Sequence, residues 1–216
     1  IKNPLSGIRG AAQLLEGDAS EATRPLTKLI VDEVDRIAAL IDRMQHFTSN
    51  QPLECKAENI YPLLDRAVEI AVAGFARNCP IIRTYDPSLP YAQVNGDALL
   101  QVVLNLVKNA VEAVDGMEGG TVQVATAYRH GLSVLSSKGK GTGPLQIELQ
   151  VIDNGPGVPE NIRDVLFNPF ISAKRSGQGL GLALVDKLVR DMNGLVQYER
   201  DQGAARSIFR VLLPMG

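Results

Sequence analysis

Asn105 and Asn109 stand four residues apart, with Gln101 four before them and Glu112 three after, so on a helix all four fall in one stripe. The other side of the segment is apolar, with Leu100, Val103, Leu104, Val107, Val111 and Val114. A polar stripe is ordinarily a solvated face. Amides, however, are weaker helix formers than Glu or Lys, and an amide oxygen is a hard, uncharged ligand suited to Mg2+. Metal coordination is the chemistry such a stripe offers, and a second signal is needed to prefer it to a solvated face.

Further along, the apolar run Ile147–Ile152 leads into Asp153-Asn154-Gly155-Pro156-Gly157. An ionised Asp only accepts hydrogen bonds, which fits an exocyclic amine, and Gly155 and Gly157 let backbone approach a flat ring closely. Taken alone, the five residues are a tight turn. Gly177-Gln178-Gly179-Leu180-Gly181-Leu182 then runs into an apolar helical pattern. Glycines before a helix N-terminus leave N–H groups open to an anion, the arrangement that holds phosphates. The run is neither the P-loop nor the dinucleotide fingerprint. Between these clusters lie Phe167 and Phe170, an aromatic pair that by itself means core packing, and the basic pair Lys174 and Arg175.

These segments need elements to hold them. Residues 97–115 read as a helix capped by Asp97, 145–152 as a strand, and 179–193 as a helix. Around them the pattern predicts a helix over 60–76 capped by Asn59, strands near 81–85, 120–128, 195–200 and 206–213, and a short helix after Pro159. Helices and strands mix without strict alternation, so the fold class is α+β. Residues 129–143, rich in Gly, Ser and Lys, read as a long mobile loop.

The first 50 residues differ. Ile1, Leu5, Ile8, Ala12 and Leu15 recur at helical spacing, as do Leu26, Ile30, Val34, Ile37, Ile41 and Met44. Gly17 and Asp18 interrupt the pattern, with Asp18 and Glu21 spaced as a capping box and Pro25 near the start of the second helix. One hairpin cannot bury both stripes, and two copies make a four-helix bundle, so a homodimer is the economical solution; docking on the rest of the chain is the other. Residues 50–58, with Pro52, read as a linker between domains at 1–52 and 56–216.

The 216 residues are 45% hydrophobic and 21% charged, the composition of a globular protein with one or two domains. A formal charge of −2 argues against a broad phosphate-neutralising surface, hence against nucleic acid as a partner. Cys55 and Cys79 are 24 positions apart and form no zinc or disulfide framework, which suits reduced thiols in the cytoplasm. No apolar run reaches the length of a membrane span. The chain opens with Ile1 inside a helical pattern and is expected to be part of something longer.

Taken together, N-L-V-K-N-A at 105–110, D-N-G-P-G at 153–157, F-N-P-F at 167–170 and G-Q-G-L-G-L at 177–182 resemble the N, G1, F and G2 boxes of the sensor histidine kinases. I-K-N-P-L at 1–5 is similar to the continuation of the histidine box H-E-I-K-N-P-L, and S-G-I-R-G-A-A-Q-L-L at 6–15 to its nitrogen-regulation, NtrB-type branch. The resemblance implies a dimerisation hairpin followed by a GHKL/Bergerat-type α/β sandwich that binds ATP with Mg2+. It implies that Asn109 coordinates Mg2+ with Asn105 and Glu112 on the same face, and that Asp153 takes the adenine amine with Gly155 and Gly157 lining the base. Gly177, Gly179, Leu180 and Gly181 would cradle phosphates, with Phe167, Phe170, Lys174 and Arg175 in the covering lid; Gln178 stands where many relatives have Thr.

Asn3 matches the position that orients a water for phosphatase attack. The implied partners are an NtrC-type response-regulator receiver domain, a PII-type signalling protein and a second copy of the chain. In the family, the accepting His and its acidic neighbour occupy the two positions before Ile1, which this chain does not contain. His46 and His130 lack that context and read as structural or solvated. Two other readings stay open: an ATPase module of the chaperone, topoisomerase or mismatch-repair kind, and a nucleotide-binding scaffold that docks a regulator without catalysis.

Overall fold

The computed structural model describes residues 2–17, 23–34, 37, 52–129, 145–172 and 179–216. The chain divides into two compact units, Ile1–Gln51 and Pro52–Gly216.

The first unit contains α1 (Lys2–Gly17) and α2 (24–34). The Thr23 carbonyl accepts from the Leu26 and Thr27 amides at 3.0 and 3.1 Å, so α2 starts there with Pro25 in its first turn, where a missing N–H costs nothing. The capping box expected at Asp18 and Glu21 lies outside the described residues. Ala12, Thr27 and Val34 are buried, whereas Ile8, Leu14, Leu15, Leu26 and Leu29 are at least half exposed.

In the second unit a five-stranded mixed sheet has the order β2-β4-β5-β7-β6. Its strands are β2 (Ile81–Thr84), β4 (Val122–Tyr128), β5 (Leu145–Asp153), β6 (Leu195–Asp201) and β7 (Arg206–Pro214). Only β2 and β4 run parallel. A separate antiparallel pair joins β1 (Lys56–Glu58) to β3 (Ala92–Val94), and Ala92 also bridges Met215. The helices are α3 (Tyr61–Ala73), α4 (Gly96–Val114) and α5 (Gly181–Asp191), with a 3-10 turn at Glu160–Val165. α4 packs between α3 and α5 and against β4 and β5, in a two-layer arrangement.

α4 forms because its apolar residues recur at helical spacing. Leu99, Val102, Val103, Leu106, Val107, Ala110 and Val114 are buried in one core with Leu64 and Val68 of α3, Val185 and Val189 of α5, and Val124, Leu149, Val151 and Val211 of the sheet. Leu100 and Leu104, expected on the buried side, sit half-buried at its edge. The cap is two residues earlier than expected: Asn95, not Asp97, accepts from the Ala98 amide at 3.0 Å, and Asp97 lies in the first turn, where its charge favours the helix dipole. Asn95 also donates to the Glu54 carbonyl at 3.1 Å, tying α4 to the segment entering β1. Likewise α3 has Ile60 at its cap position, while Asn59 accepts from the Tyr61 amide at 3.0 Å.

The opposite face of the sheet carries a buried carboxylate. Glu148, with 2% of its side chain exposed, pairs with Arg129 and Arg210 and accepts from Gln150 at 2.6 Å. Burial pushes this carboxyl up, but hydrogen bonds from Arg129, Gln150 and Arg210 together hold it below the ordinary range.

The expected linker over 50–58 is in part strand, since 56–58 form β1, and β3 had no counterpart in the sequence pattern. α5 begins at Gly181 rather than 179, because Gly179 has φ +66 and cannot be helical. The loop expected at 129–143 lies, beyond Arg129, outside the described residues.

Candidate nucleotide-binding site

α4 carries the polar stripe as a half-buried ridge: Gln101, Asn105, Asn109 and Ala113 follow at steps of four, none fully exposed. Asn105 donates to the Gln101 carbonyl at 2.8 Å, which turns its amide oxygen outward. That oxygen lies 3.4 Å from where a Cβ on Gly181 would stand, so the start of α5 abuts Asn105. Two helical turns further on, a Cβ on Gly155 would lie 2.8 Å from the Ala113 carbonyl, so the D-N-G-P-G turn abuts Ala113. Asn109 stands midway. At 1.5 Å per residue, the eight residues from Asn105 to Ala113 span about 12 Å. Glu112 is exposed and pairs with Lys108 at 3.9 Å, outside this row.

Asp153 ends β5 and is 3% exposed. Its Oδ1 accepts from the Gly155 amide at 2.9 Å, which fixes the start of the turn. Asn154 then anchors the turn sideways, accepting from the Thr121 amide at 2.8 Å and donating to the Gly119 carbonyl at 2.9 Å. Gly157 has φ +83, a conformation that strains any side chain. Two residues of β6 hold the far side: Arg200 donates to the Gly155 carbonyl at 2.9 Å, and the Tyr198 hydroxyl accepts from the Val158 amide at 3.0 Å. Neither was legible in the sequence, because strand 195–200 lies 40 residues or more from the turn it holds.

Phe167 packs against the core, whereas the Phe170 side chain is 68% exposed. The Phe170 backbone has φ +66 and its amide donates to the Gly179 carbonyl at 2.9 Å. A Cβ on Gly179 would lie 2.4 Å from the Phe170 carbonyl carbon, so only glycine fits there. Leu180 is buried at the cap position of α5 and, among the described residues, no side chain caps the first amides of the helix. Lys174, Arg175, Gly177 and Gln178 lie outside the described residues, as do His46 and His130. Asn3 lies in the first turn of α1.

Among the described residues no cluster of three or more His, Cys, Asp or Glu could hold a metal, so the amide ridge is the donor set to consider. A hard amide donor at Asn109, glycines whose Cβ positions are closed by backbone, and an uncapped helix start together fit a nucleotide with a divalent cation. Among the described residues no helix is long and apolar enough to cross a membrane.

Residues 94–216 match the family described as histidine kinase-, DNA gyrase B-, and HSP90-like ATPase, and residues 1–52 match the His kinase A phospho-acceptor domain. The chain belongs to this ATPase family, in the branch of sensory histidine kinases that join the two domains. It is 48% identical over 215 residues to the sensory histidine kinase/phosphatase NtrB of Azospirillum brasilense, covering all of this chain and 53% of that protein. The NtrB of Rhizobium meliloti (strain 1021) is 50% identical over 216 residues, with 99% of this chain and 56% of that protein covered. The chain thus spans a little over half the length of these curated relatives. Full-length ShkA, solved in complex with AMPPNP, is similar with a TM-score of 0.77 at 25% identity, over 99% of this chain and 43% of that one.

Proposed function

We propose that this chain is the catalytic core of an NtrB-type sensor histidine kinase and phosphatase, with a dimerising phosphotransfer hairpin at 1–52 and an ATP-binding domain at 56–216. The observation that carries the reading is the α4 ridge, with the Asp153 turn against Ala113 at one end, the start of α5 against Asn105 at the other, and Asn109 between them.

In this reading Asp153 accepts from the adenine amine, and Gly155 and Gly157 keep side chains off the base. The first amides of α5, with Gly177, Gly179 and Gly181, bind phosphate oxygens; Lys174 and Arg175 add positive charge. Asn109 supplies an amide oxygen to Mg2+, with Asn105 beside it. Bound Mg-ATP supplies an electrophilic γ-phosphoryl group for an in-line nucleophile. The protein's part is positioning and charge neutralisation, which dominate phosphoryl transfer. Phe167 packs against the core, and the backbone hydrogen bond from Phe170 to Gly179 holds residues 170 and 179 together.

In the whole protein the nucleophile is a His imidazole, and the phosphoryl group passes on to an Asp of an NtrC-type receiver domain, with a PII-type protein as a further partner. Asn3 orients the water in the reverse, phosphatase direction. The exposed Ile8, Leu14, Leu15, Leu26 and Leu29 of the hairpin are covered by a second copy, and the protein works in the cytoplasm.

Nucleotide titration of the 216-residue chain tests this. It binds ADP and ATP with Mg2+ and takes no label from γ-labelled ATP. Absence of nucleotide binding, or acid-labile phosphate on His46 or His130, contradicts the reading.

A further inference from the structure

β6 is an edge strand, yet its helix-side face bears Val196, Tyr198 and Arg200 at alternate positions, and none of the three is free of work. Val196 is buried in the core. Tyr198 packs on Phe209 with ring centroids 5.1 Å apart, and its hydroxyl takes the Val158 amide. Arg200 donates through one nitrogen to the Gly155 carbonyl at 2.9 Å and to the Ser207 hydroxyl at 3.1 Å. A Cβ on Gly157 would meet Cδ, Nε and Cζ of Arg200 all at 3.2 Å, so the guanidinium lies flat against that glycine.

Two neighbouring side chains of one strand therefore grip the turn at Gly155 and at Val158, on either side of Pro156-Gly157. Asn154 ties its other flank to Thr121 and Gly119. A turn with two glycines in five residues has much conformational freedom to lose, and each pin removes part of that loss before a ligand arrives. In register, Asp153 pairs with Ser207 and Ser207 with Arg200, so the carboxylate, the hydroxyl and the guanidinium form one row across β5, β7 and β6. The hydrogen bond from Arg200 is charge-assisted, which makes it the stronger of the two pins.

We propose that Arg200, supported by Tyr198, is a positioning residue for the base end of the nucleotide site, holding the 153–158 turn in its binding shape and so setting affinity for the adenine nucleotide. The inference rests on the reading that Asp153 and this turn receive the base. It assigns Arg200 no contact with phosphate and no part in the transfer step.

The test uses the 216-residue chain and its Arg200→Ala, Arg200→Lys, Tyr198→Phe and Asp153→Asn variants, titrated with ADP, ATP and inorganic triphosphate in the presence of Mg2+. Arg200→Ala weakens ADP and ATP by the same factor, about tenfold, as loss of one charge-assisted hydrogen bond predicts. Triphosphate affinity and the thermal midpoint without nucleotide stay at the parent values. Arg200→Lys, which keeps one donor for the Gly155 carbonyl, recovers part of the loss, and Tyr198→Phe shows a smaller loss of the same pattern.

If Asp153→Asn abolishes ADP binding while Arg200→Ala and Tyr198→Phe bind as the parent does, the positioning role is wrong and the site reading stands. If Asp153→Asn binds ADP like the parent, the site reading falls and the positioning role with it. A loss in Arg200→Ala that extends equally to triphosphate and to thermal stability makes Arg200 a fold staple and overturns the proposal.

Discussion

The Ala113 carbonyl and the α-carbon of Gly155 are in such close approach that a methyl group on Gly155 would sit 2.8 Å from the carbonyl oxygen and 2.9 Å from Asp153 Oδ1. The turn after β5 thus meets the last turns of α4 through a close backbone approach. Gly155→Ala should shift the turn as a whole and carry Asp153 with it. The expected cost is about 1–3 kcal/mol of stability, as for other overpacked sites, with loss of ADP binding. Thermal melts with and without ADP check both parts; unchanged ADP affinity would show that the turn does not shape the site.

Asn109 allows a metal role to be separated from a packing role. It is half-buried on the ridge, away from the core. Asn109→Ala should therefore change the thermal midpoint without nucleotide by less than about 1 kcal/mol equivalent. The stabilisation by Mg-ATP should vanish, because it follows the ratio of ligand concentration to Kd. Asn109→Asp keeps an oxygen donor but adds charge beside phosphates, so it should retain more metal-dependent binding than Ala while losing kinase activity in the full-length protein. Mg-ATP affinity equal to the parent in Asn109→Ala would remove the metal role.

Glu148 gives the domain an acid-sensitive element. Its carboxyl is held below the unfolded value of 4.5. The stability it contributes is therefore fully present above that pH and is lost as pH falls through the depressed folded value. Melting midpoints measured from pH 7 downward should drop on acidification below about 4.5, with a shallower drop in Glu148→Gln. At pH 7, Glu148→Ala removes one carboxylate from Arg129, which is 46% exposed, and from Arg210, which keeps Glu199 at 2.9 Å, and should cost about 1–3 kcal/mol. Parallel pH profiles for parent and Glu148→Gln would show that the carboxylate contributes nothing to acid unfolding.

The hairpin should decide the oligomeric state. Sedimentation should show the 216-residue chain as a dimer and a chain beginning at Pro52 as a nucleotide-binding monomer. Pro52 is the proper start, because Leu53 and Cys55 pack on the core and the Glu54 carbonyl binds Asn95. Monomers from both chains at micromolar concentration would contradict the bundle.

Asn3 should be separable from the nucleotide site in function. In full-length protein, Asn3→Ala should slow dephosphorylation of the cognate receiver by tenfold or more, on the order of general-base contributions, with ATP affinity unchanged. Equal loss of both activities would mean that Asn3 only supports the fold.

The sequence made α4 legible almost to the residue, 97–115 against Gly96–Val114, because a long apolar period survives single errors. Its cap was less legible. Asn95 and Asp97 are both good caps, and the choice was made by the Glu54 carbonyl, a partner 41 residues away that no local pattern reveals. β1 and β3 escaped because three residues are too few to show alternation. The glycines of the site were readable by type, yet what closes around them was not: Ala113, Phe170 and Arg200 meet Gly155, Gly179 and Gly157 only through tertiary packing. Tyr198 and Arg200 were hidden for the same reason, since an edge strand is expected to put polar groups in solvent.

β7 is the last strand in sequence but lies between β5 and β6, pairing with both along their length. A ribosome delivering the chain from its N-terminus releases β5 and β6 before their shared neighbour exists. Until residues 206–214 emerge, each presents a bare ladder of amides and carbonyls on that side, together with apolar side chains that later form the core. Asp153 and Arg200 cannot share Ser207 during that interval. The 153–158 turn therefore takes its pinned place in the sheet only after residues 206–214 have emerged, and until then those two edges are open to pairing with other chains.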